Sequence, residues 1–297
     1  MATPPSWRPD ILGSDDLVEE VLRIEGYDKI PATTLPKQRV LTHSAHSPMR
    51  RRVHVTQRAL AERGLMESVT WSFMDAGLAK RFEAEPLDAH ALTLANPISS
   101  DLSRMRPSIL PNLIAAAGRN ADRGYPNAAL FEVGPVFFGV NPADQSIMAA
   151  GIRHAQMSNK HWAGGDAGRQ VDVFDAKADV MALLLANGFD AANTPISNDA
   201  PSWYHPGRSG TLRLGKTVLG WFGEIHPALL QEMDIDGPIV AFEVFLEAIP
   251  SKKNKGAAKS LLHLNPLQPL SRDFAFIVDE DVAANDVVRA AQSADKK

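Results

Sequence analysis

The stretch Thr211–Ile225, TLRLGKTVLGWFGEI, constrains the fold most tightly. Alternating apolar and polar residues run into Gly215-Lys216 and out again, the pattern of two strands joined by a tight turn. A connection that short permits only antiparallel pairing, because parallel neighbours need a crossover of a dozen or more residues. ESVTWSF (67–73), AALFEVGPVFF (128–138) and IVAFEVFL (239–246) are also rich in β-branched and aromatic residues and read as strands. Between them, residues 14–25, 47–64, 106–124 and 172–189 read as helices, the third entered from a strand end. On the helix 172–189, Phe174, Val180, Leu183, Leu184 and Ala178 stand at helical spacing as a candidate core face. Strands and helices alternate irregularly. The expected fold class is therefore α+β, a mostly antiparallel sheet flanked by helices, rather than a doubly wound parallel sheet.

With 297 residues, 44% of them hydrophobic, the chain can bury at least one large core and has the length for two domains or one with appendages. A net charge of −4 supplies no global attraction for nucleic acid, so any RNA contact needs a local basic patch. The absence of cysteine excludes disulfides, zinc thiolates and thiol catalysis, and fits a reducing cytoplasmic setting. No apolar run reaches the eighteen or so residues of a membrane span, and MATPPSWRPD lacks a signal pattern, so the expectation is a soluble, untargeted protein with no membrane partner.

DKIPATTLPKQR, with two prolines, reads as an extended linker and places a boundary near residue 40. IPSKKNKGAAKS (249–260) is a second polar linker. The sequence beyond it holds one strand and one helix, too little to enclose a core, and reads as the start of a domain cut short. Residues 1–38, 39–250 and 251–297 are the expected divisions.

Three motifs invite functional readings with plainer alternatives. Gly210-Thr-Leu-Arg-Leu-Gly215-Lys216-Thr217 matches a phosphate-binding loop letter for letter, but that loop works only between a strand and a helix, and here strands flank it. A hairpin turn is the better reading. His205, Glu224 and His226 are candidate metal ligands, although their spacing is none of the usual zinc patterns and both histidines precede proline, which favours turns. The helix beginning at Ser47-Pro48 carries Arg50, Arg51, Arg52, Arg58 and Arg63, a face for phosphate or simply for water.

WRPDILGSDDLVEEVLRIEGYDKIP (7–31) gathers Asp10, Asp16, Glu19 and Glu20 around a short helix that Ser14 or Asp15 can cap and Gly26 can end. Its apolar side is Leu17, Val18, Val21, Leu22 and Ile24. Asp16, Glu19 and Glu20 stand at i, i+3 and i+4, so hard oxygen ligands can converge on a cation from one face. The spacing from Asp16 to Glu19 also suits a capping box, and acids are favoured near any helix start. A metal site, a cap and a solvated face all remain open on the residues alone.

LANPISSDLSRMRPSILPNLIAAAGRNADRGYPNAALFEVGPVF runs from a polar loop through Arg106 and a helix to a strand with Phe131-Glu132. This order resembles the second signature of class II aminoacyl-tRNA synthetases, in which an Arg on one strand and an acid on the next hold the adenylate. The third signature, a glycine-rich run ending in an acid and an arginine, has no counterpart after residue 140. Together with the opening motif, WYHPGRSG, GEIHP and PLSRDFAFIVDEDV, the chain resembles the β-subunit family of bacterial phenylalanine–tRNA ligases over residues 5–297, as a truncated C-terminal portion.

The resemblance implies a class II synthetase-like core without catalysis, preceded by the end of a small domain and followed by the first strand and helix of a ferredoxin-like anticodon-binding domain. It implies an α subunit that uses ATP to charge tRNA(Phe) with phenylalanine, an (αβ)₂ heterotetramer, and a tRNA-facing surface on the β side. It places the editing site and an RNA-binding module upstream, so this stretch should neither aminoacylate nor edit. It also implies that Asp10, Asp16, Glu19 and Glu20 bind Mg²⁺ at a site shared with α. The competing expectation is an autonomous class II paralogue that activates an amino acid unaided.

Overall fold

A computed structural model describes residues 3–36, 44–84, 92–158, 162, 168–251, 261, 262, 264 and 266–294. The chain divides into two compact units, Met1–Ala45 and His46–Lys297. Among the described residues, no helix is long and apolar enough to cross a membrane.

In the first unit, α1 (Ser14–Glu25) starts one residue earlier than a Ser14 cap would allow, with Gly13 as its N-cap. The Asp16 carboxylate turns back to accept the Gly13 N–H at 2.8 Å and the Leu12 N–H at 2.7 Å, satisfying donors a helix start leaves free. Gly26, at φ +104°, ends the helix as expected. α1 buries none of its residues, so the apolar side expected at Leu17, Val18, Val21, Leu22 and Ile24 has no core beneath it here.

The second unit holds α2 (Pro48–Glu62), β1 (Met66–Glu67), β2 (Phe73–Met74), α3 (Ala76–Arg81), β3 (Arg104–Met105) and α4 (Leu110–Ala121). There follow β4 (Ala129–Phe137), β5 (Gln145–His154), α5 (Val173–Ala186), β6 (Ile196–Ser197), β7 (Tyr204–Leu214), β8 (Thr217–Ile225), α6 (Pro227–Glu232), β9 (Ile239–Phe245) and α7 (Ala284–Ser293). Seven strands form one sheet in the order β1-β4-β5-β9-β8-β7-β6, antiparallel throughout except for the β1–β4 pair. β2 and β3 form a separate antiparallel pair.

The sheet is buried on both faces. Ile239 and Ala241 of β9 pack with α4 residues Leu110, Leu113 and Ile114, whereas Val240, Phe242 and Val244 pack with Leu60 of α2 and Val180, Leu183 and Leu184 of α5. This period-two division explains why IVAFEVFL reads as an unbroken apolar run although its neighbours are antiparallel. Each fully buried leucine contributes roughly 1.5–3 kcal/mol relative to exposure.

Local signals set the helix ends. Ser47 accepts the Arg50 N–H at 3.2 Å, Pro48 occupies the first turn, and Gly64 at φ +81° lets Leu65 N–H reach Leu60 O, closing α2. Asp172 caps α5 through the Phe174 and Asp175 N–H groups. The inward face of α5 runs through Ala176, Asp179, Val180 and Leu183, so Phe174 and Ala178, expected in the core, point outward on the opposite side. The difference lies in Asp179, which Arg153 and Arg63 draw inward.

Two expected strands differ. Residues 67–73 form no continuous strand: β1 ends at Glu67 and β2 starts at Phe73, because the Thr70 N–H and hydroxyl go to the Glu132 side chain instead of a ladder. Among the described residues after 251, α7 is present but no strand precedes it; an isolated segment has no partner for its N–H and C=O groups.

Candidate functional site

A densely bonded polar cluster lies where the interrupted segment 68–72 meets β4. Arg106, just past β3 and outside the seven-stranded sheet, is 1% exposed. Its Nη1 donates to Glu132 Oε1 at 2.7 Å and to Thr70 Oγ1 at 3.0 Å, and its Nε to Pro135 O at 2.9 Å. The Thr70 hydroxyl donates to Glu132 Oε2 at 2.6 Å and accepts from Asn112 Nδ2 at 3.2 Å as well as from Arg106, which uses its full capacity. Asn112 also donates to Trp71 O at 2.8 Å, tying α4 to that segment. A Cβ on Gly134 would lie 2.6 Å from Arg106 Nη2, so only glycine lets the guanidinium lie flat on β4. The Arg–acid pair that resembles the adenylate-holding signature is thus bonded to itself. Beside it opens a cleft of about 490 Å³ lined by Trp71, Phe73, Asp75, Asp101, Asn112 and Arg119.

Two acids of the opening motif, Asp10 and Glu20, are ion-paired within the first unit. Arg8 Nη2 contacts Asp10 Oδ2 at 2.7 Å and Glu20 Oε1 at 2.5 Å, and Arg23 Nη2 contacts Glu20 Oε2 at 2.6 Å. Hydrogen bonds from Arg8 and then Arg23 hold the Glu20 carboxyl down at about 2, Arg8 lowers Asp10, and the Leu12 and Gly13 N–H groups lower Asp16. Glu19 is exposed. Among the described residues, no group of three or more His, Asp or Glu side chains is arranged to hold a metal ion. The donor chemistry suits a hard cation, but Arg8 stands between Asp10 and Glu20 and Asp16 is spent on backbone N–H groups.

The remaining candidates resolve on geometry. Gly215 at φ +62° makes the β7–β8 turn, and Thr217 continues as a strand, so the phosphate-loop lookalike is a hairpin. Glu224 is paired with Arg208 at 2.6 Å. His205 Nδ1 accepts the Gly207 N–H at 3.0 Å and His226 Nδ1 accepts the Ala228 N–H at 3.2 Å. A neutral imidazole accepting at Nδ1 carries its proton on Nε2, which leaves no lone pair for a metal while these bonds stand. Of the arginines in and just after α2, Arg52 donates to Leu246 O at 2.5 Å and Arg63 pairs with Asp179, while Arg50, Arg51 and Arg58 are exposed.

Sequence reading missed a second buried cluster. Glu243, at the centre of β9 and fully buried, accepts from Ser108 Oγ at 2.5 Å, Trp203 Nε1 at 3.1 Å and Tyr204 Oη at 3.2 Å. Burial pushes its carboxyl up to about 7, against the pull of those three donors. An acid inside the apolar run IVAFEVFL was the available signal.

The family model described as phenylalanyl tRNA synthetase beta chain CLM domain matches residues 30–246, and that described as tRNA synthetase B5 domain matches residues 1–27. The phenylalanine–tRNA ligase beta subunit of Paramagnetospirillum magneticum is 52% identical over 297 residues, covering 100% of this chain and 36% of the relative. That of Rhodospirillum rubrum is 50% identical over 294 residues, covering 99% and 36%. The chain thus spans little more than a third of the length of these relatives. Among solved structures, a pyrrolysyl tRNA synthetase of Desulfitobacterium hafniense shares the fold at a TM-score of 0.50 and 15% identity, over 67% of this chain and 64% of that one.

Proposed function

Because this chain belongs to the phenylalanine–tRNA ligase beta-subunit family, we propose that it is a non-catalytic portion of that enzyme, a class II synthetase-like core that supports an α subunit charging tRNA(Phe) with phenylalanine and ATP. The observation that carries the absence of catalysis is the closed Arg106–Glu132–Thr70 cluster. A guanidinium needed for an anionic adenylate would have to be free, and here an internal carboxylate takes that place in a buried setting.

The surface offered to the α subunit follows from the sheet edge. Among the described residues β1 pairs on one side only, and Met66 of β1 is exposed, as are Val69 and Trp71 just after it. An apolar row beside an unpaired strand edge fits a protein partner in an (αβ)₂ assembly. The tRNA contribution belongs to the assembled cytoplasmic enzyme. We assign residues 1–38 to the end of the small domain before the core, 39–250 to the core and 251–297 to the start of a ferredoxin-like domain. Asp10, Asp16, Glu19 and Glu20 are the proposed β-side ligands of Mg²⁺, completed by the α subunit. There the ion would supply two positive charges to offset the mutual repulsion of the carboxylates.

Mixing this chain with the α subunit should give one stable species in size-exclusion chromatography, and the chain alone should show only background amino-acid-dependent pyrophosphate exchange. Separate elution would overturn the partner assignment, and exchange by the chain alone would overturn the non-catalytic one.

A further inference from the structure

The two histidines left without a metal role are built into a shared corner. His205 is the second residue of β7 and His226 caps α6, and their neighbours Tyr204 and Ile225 are cross-strand partners. The rings stack with centroids 6.3 Å apart and planes at 26°. Each spends its Nδ1 lone pair on the N–H two residues ahead, Gly207 and Ala228, just beyond a proline that cannot donate. The His226 N–H in turn donates to Trp203 O at 2.9 Å, and the Ser209 hydroxyl to His205 O at 2.7 Å, which pins both backbones. Helix caps and turn acceptors are ordinarily Asp, Asn, Ser or Thr, which accept without titrating near neutral pH. Two imidazoles in that role form a different device.

We propose that His205 and His226 form a proton-sensitive catch, both rings neutral and Nε2-protonated when closed, which releases the β7 and α6 starts together when either ring takes a second proton. Protonated Nδ1 becomes a donor facing another donor, so that ring's cap is lost. The stacked partner then faces an imidazolium and turns its own Nδ1 lone pair toward it, giving up its backbone N–H. The charged groups on the neighbouring elements are Arg208 of β7 and Glu224 of β8, bound to each other at 2.6 and 2.9 Å, Glu232 of α6, paired with Arg81 at 2.9 Å, and Asp234 and Asp236 just beyond α6. Both arginines are already satisfied by carboxylates. The released corner borders a cleft of about 430 Å³ lined by Glu224, Gln231, Asp234 and Asp236. The catch therefore couples acidity to the shape of an acidic recess at one end of the sheet.

Long-range proton–nitrogen correlation spectra of the ¹⁵N-labelled chain at pH 8 should place both ring protons on Nε2. From pH 8 to 5, amide exchange at Gly207 and Ala228, corrected for intrinsic rate, should lose about five- to tenfold protection, the worth of one hydrogen bond, at both amides over the same interval. Asparagine accepts without titrating, so H205N should hold Gly207 protection flat and H226N that of Ala228. A proton on either Nδ1 at pH 8, protection unchanged across the titration, or loss at one amide alone would each overturn the proposal. The spectra and exchange of the unsubstituted chain decide it even if neither variant folds.

Discussion

At the scale of single residues, two buried carboxylates are stabilised by opposite means. Glu132 faces a guanidinium, and removing it strands Arg106 as a buried charge with no counter-ion. Glu132→Ala should therefore cost about 3–5 kcal/mol in urea unfolding, whereas Thr70→Val, which removes one hydroxyl from the same cluster, should cost about 1–3 kcal/mol. Equal effects would mean that the charge pair is not the centre of the cluster. Glu243 has only neutral donors around it, and its carboxyl is raised to about 7 from an ordinary 4.5. Because the folded state holds the proton more tightly than the unfolded one, this group's stabilisation is complete below about 4.5 and is lost as pH rises through 7. Glu243→Gln keeps acceptor and donor capacity without the titration. The variant should be more stable than the parent at pH 8, by on the order of 3 kcal/mol at most, and should lose that advantage at pH 5. Parallel stability curves from pH 5 to 8 would show that Glu243 does not titrate there.

At the scale of elements, what could be read from sequence was what local chemistry dictates. The β7–β8 hairpin, the Ser47-Pro48 start and Gly64 end of α2, and the apolar run of β9 are all visible because a turn, a cap or a period marks each. β5 went unread for a tertiary reason. Its centre is Ala149-Ala150-Gly151 rather than a β-branched run, since a Cβ on Gly151 would lie 2.5 Å from the Phe242 ring of β9. The Arg106 cluster was half legible. Arg106 and Glu132 stood out as a motif, but Thr70 and Asn112 come from other elements, and nothing local marks an interruption of 67–73 by a side chain 62 residues away. Asp10, Asp16, Glu19 and Glu20 stand out in the sequence by spacing, while the pairing of Asp10 and Glu20 with Arg8 and Arg23 depends on rotamers that spacing does not specify. The same lesson applies to α5, whose register follows Asp179. That carboxylate accepts from Arg153 Nε at 2.7 Å and Nη2 at 3.0 Å and pairs with Arg63, joining α5 to β5 and to the end of α2. Asp179→Ala should cost about 3–5 kcal/mol, whereas Phe174→Ala, on the exposed side of the same helix, should change stability by no more than about 0.5 kcal/mol. Chemical denaturation of the two variants separates a buried tie from a surface aromatic.

At the scale of the whole molecule, the second unit is a sheet covered by helices on both faces, with β1 and β6 as its edge strands among the described residues. The β1 edge bears directly on assembly. Val69 is 92% exposed and Trp71 62% exposed, so neither contributes much to the core, yet both lie where the chain runs on from the edge strand β1. Large exposed aromatics flanked by aliphatics carry a disproportionate share of binding energy when a partner covers them. Replacing both with glutamate places two carboxylates on that edge, and burying them unpaired against an apolar partner surface is costly. Val69→Glu/Trp71→Glu should leave the unfolding midpoint of the isolated chain within about 0.5 kcal/mol of the parent, because nothing buried changes. Association with the proposed α-subunit partner should weaken by at least 2 kcal/mol, about thirtyfold in Kd, in a calorimetric titration. A complex of undiminished affinity would move the subunit contact away from this edge, and a loss of affinity accompanied by unfolding of the free chain would mean that the exposed residues hold the fold and not the partner.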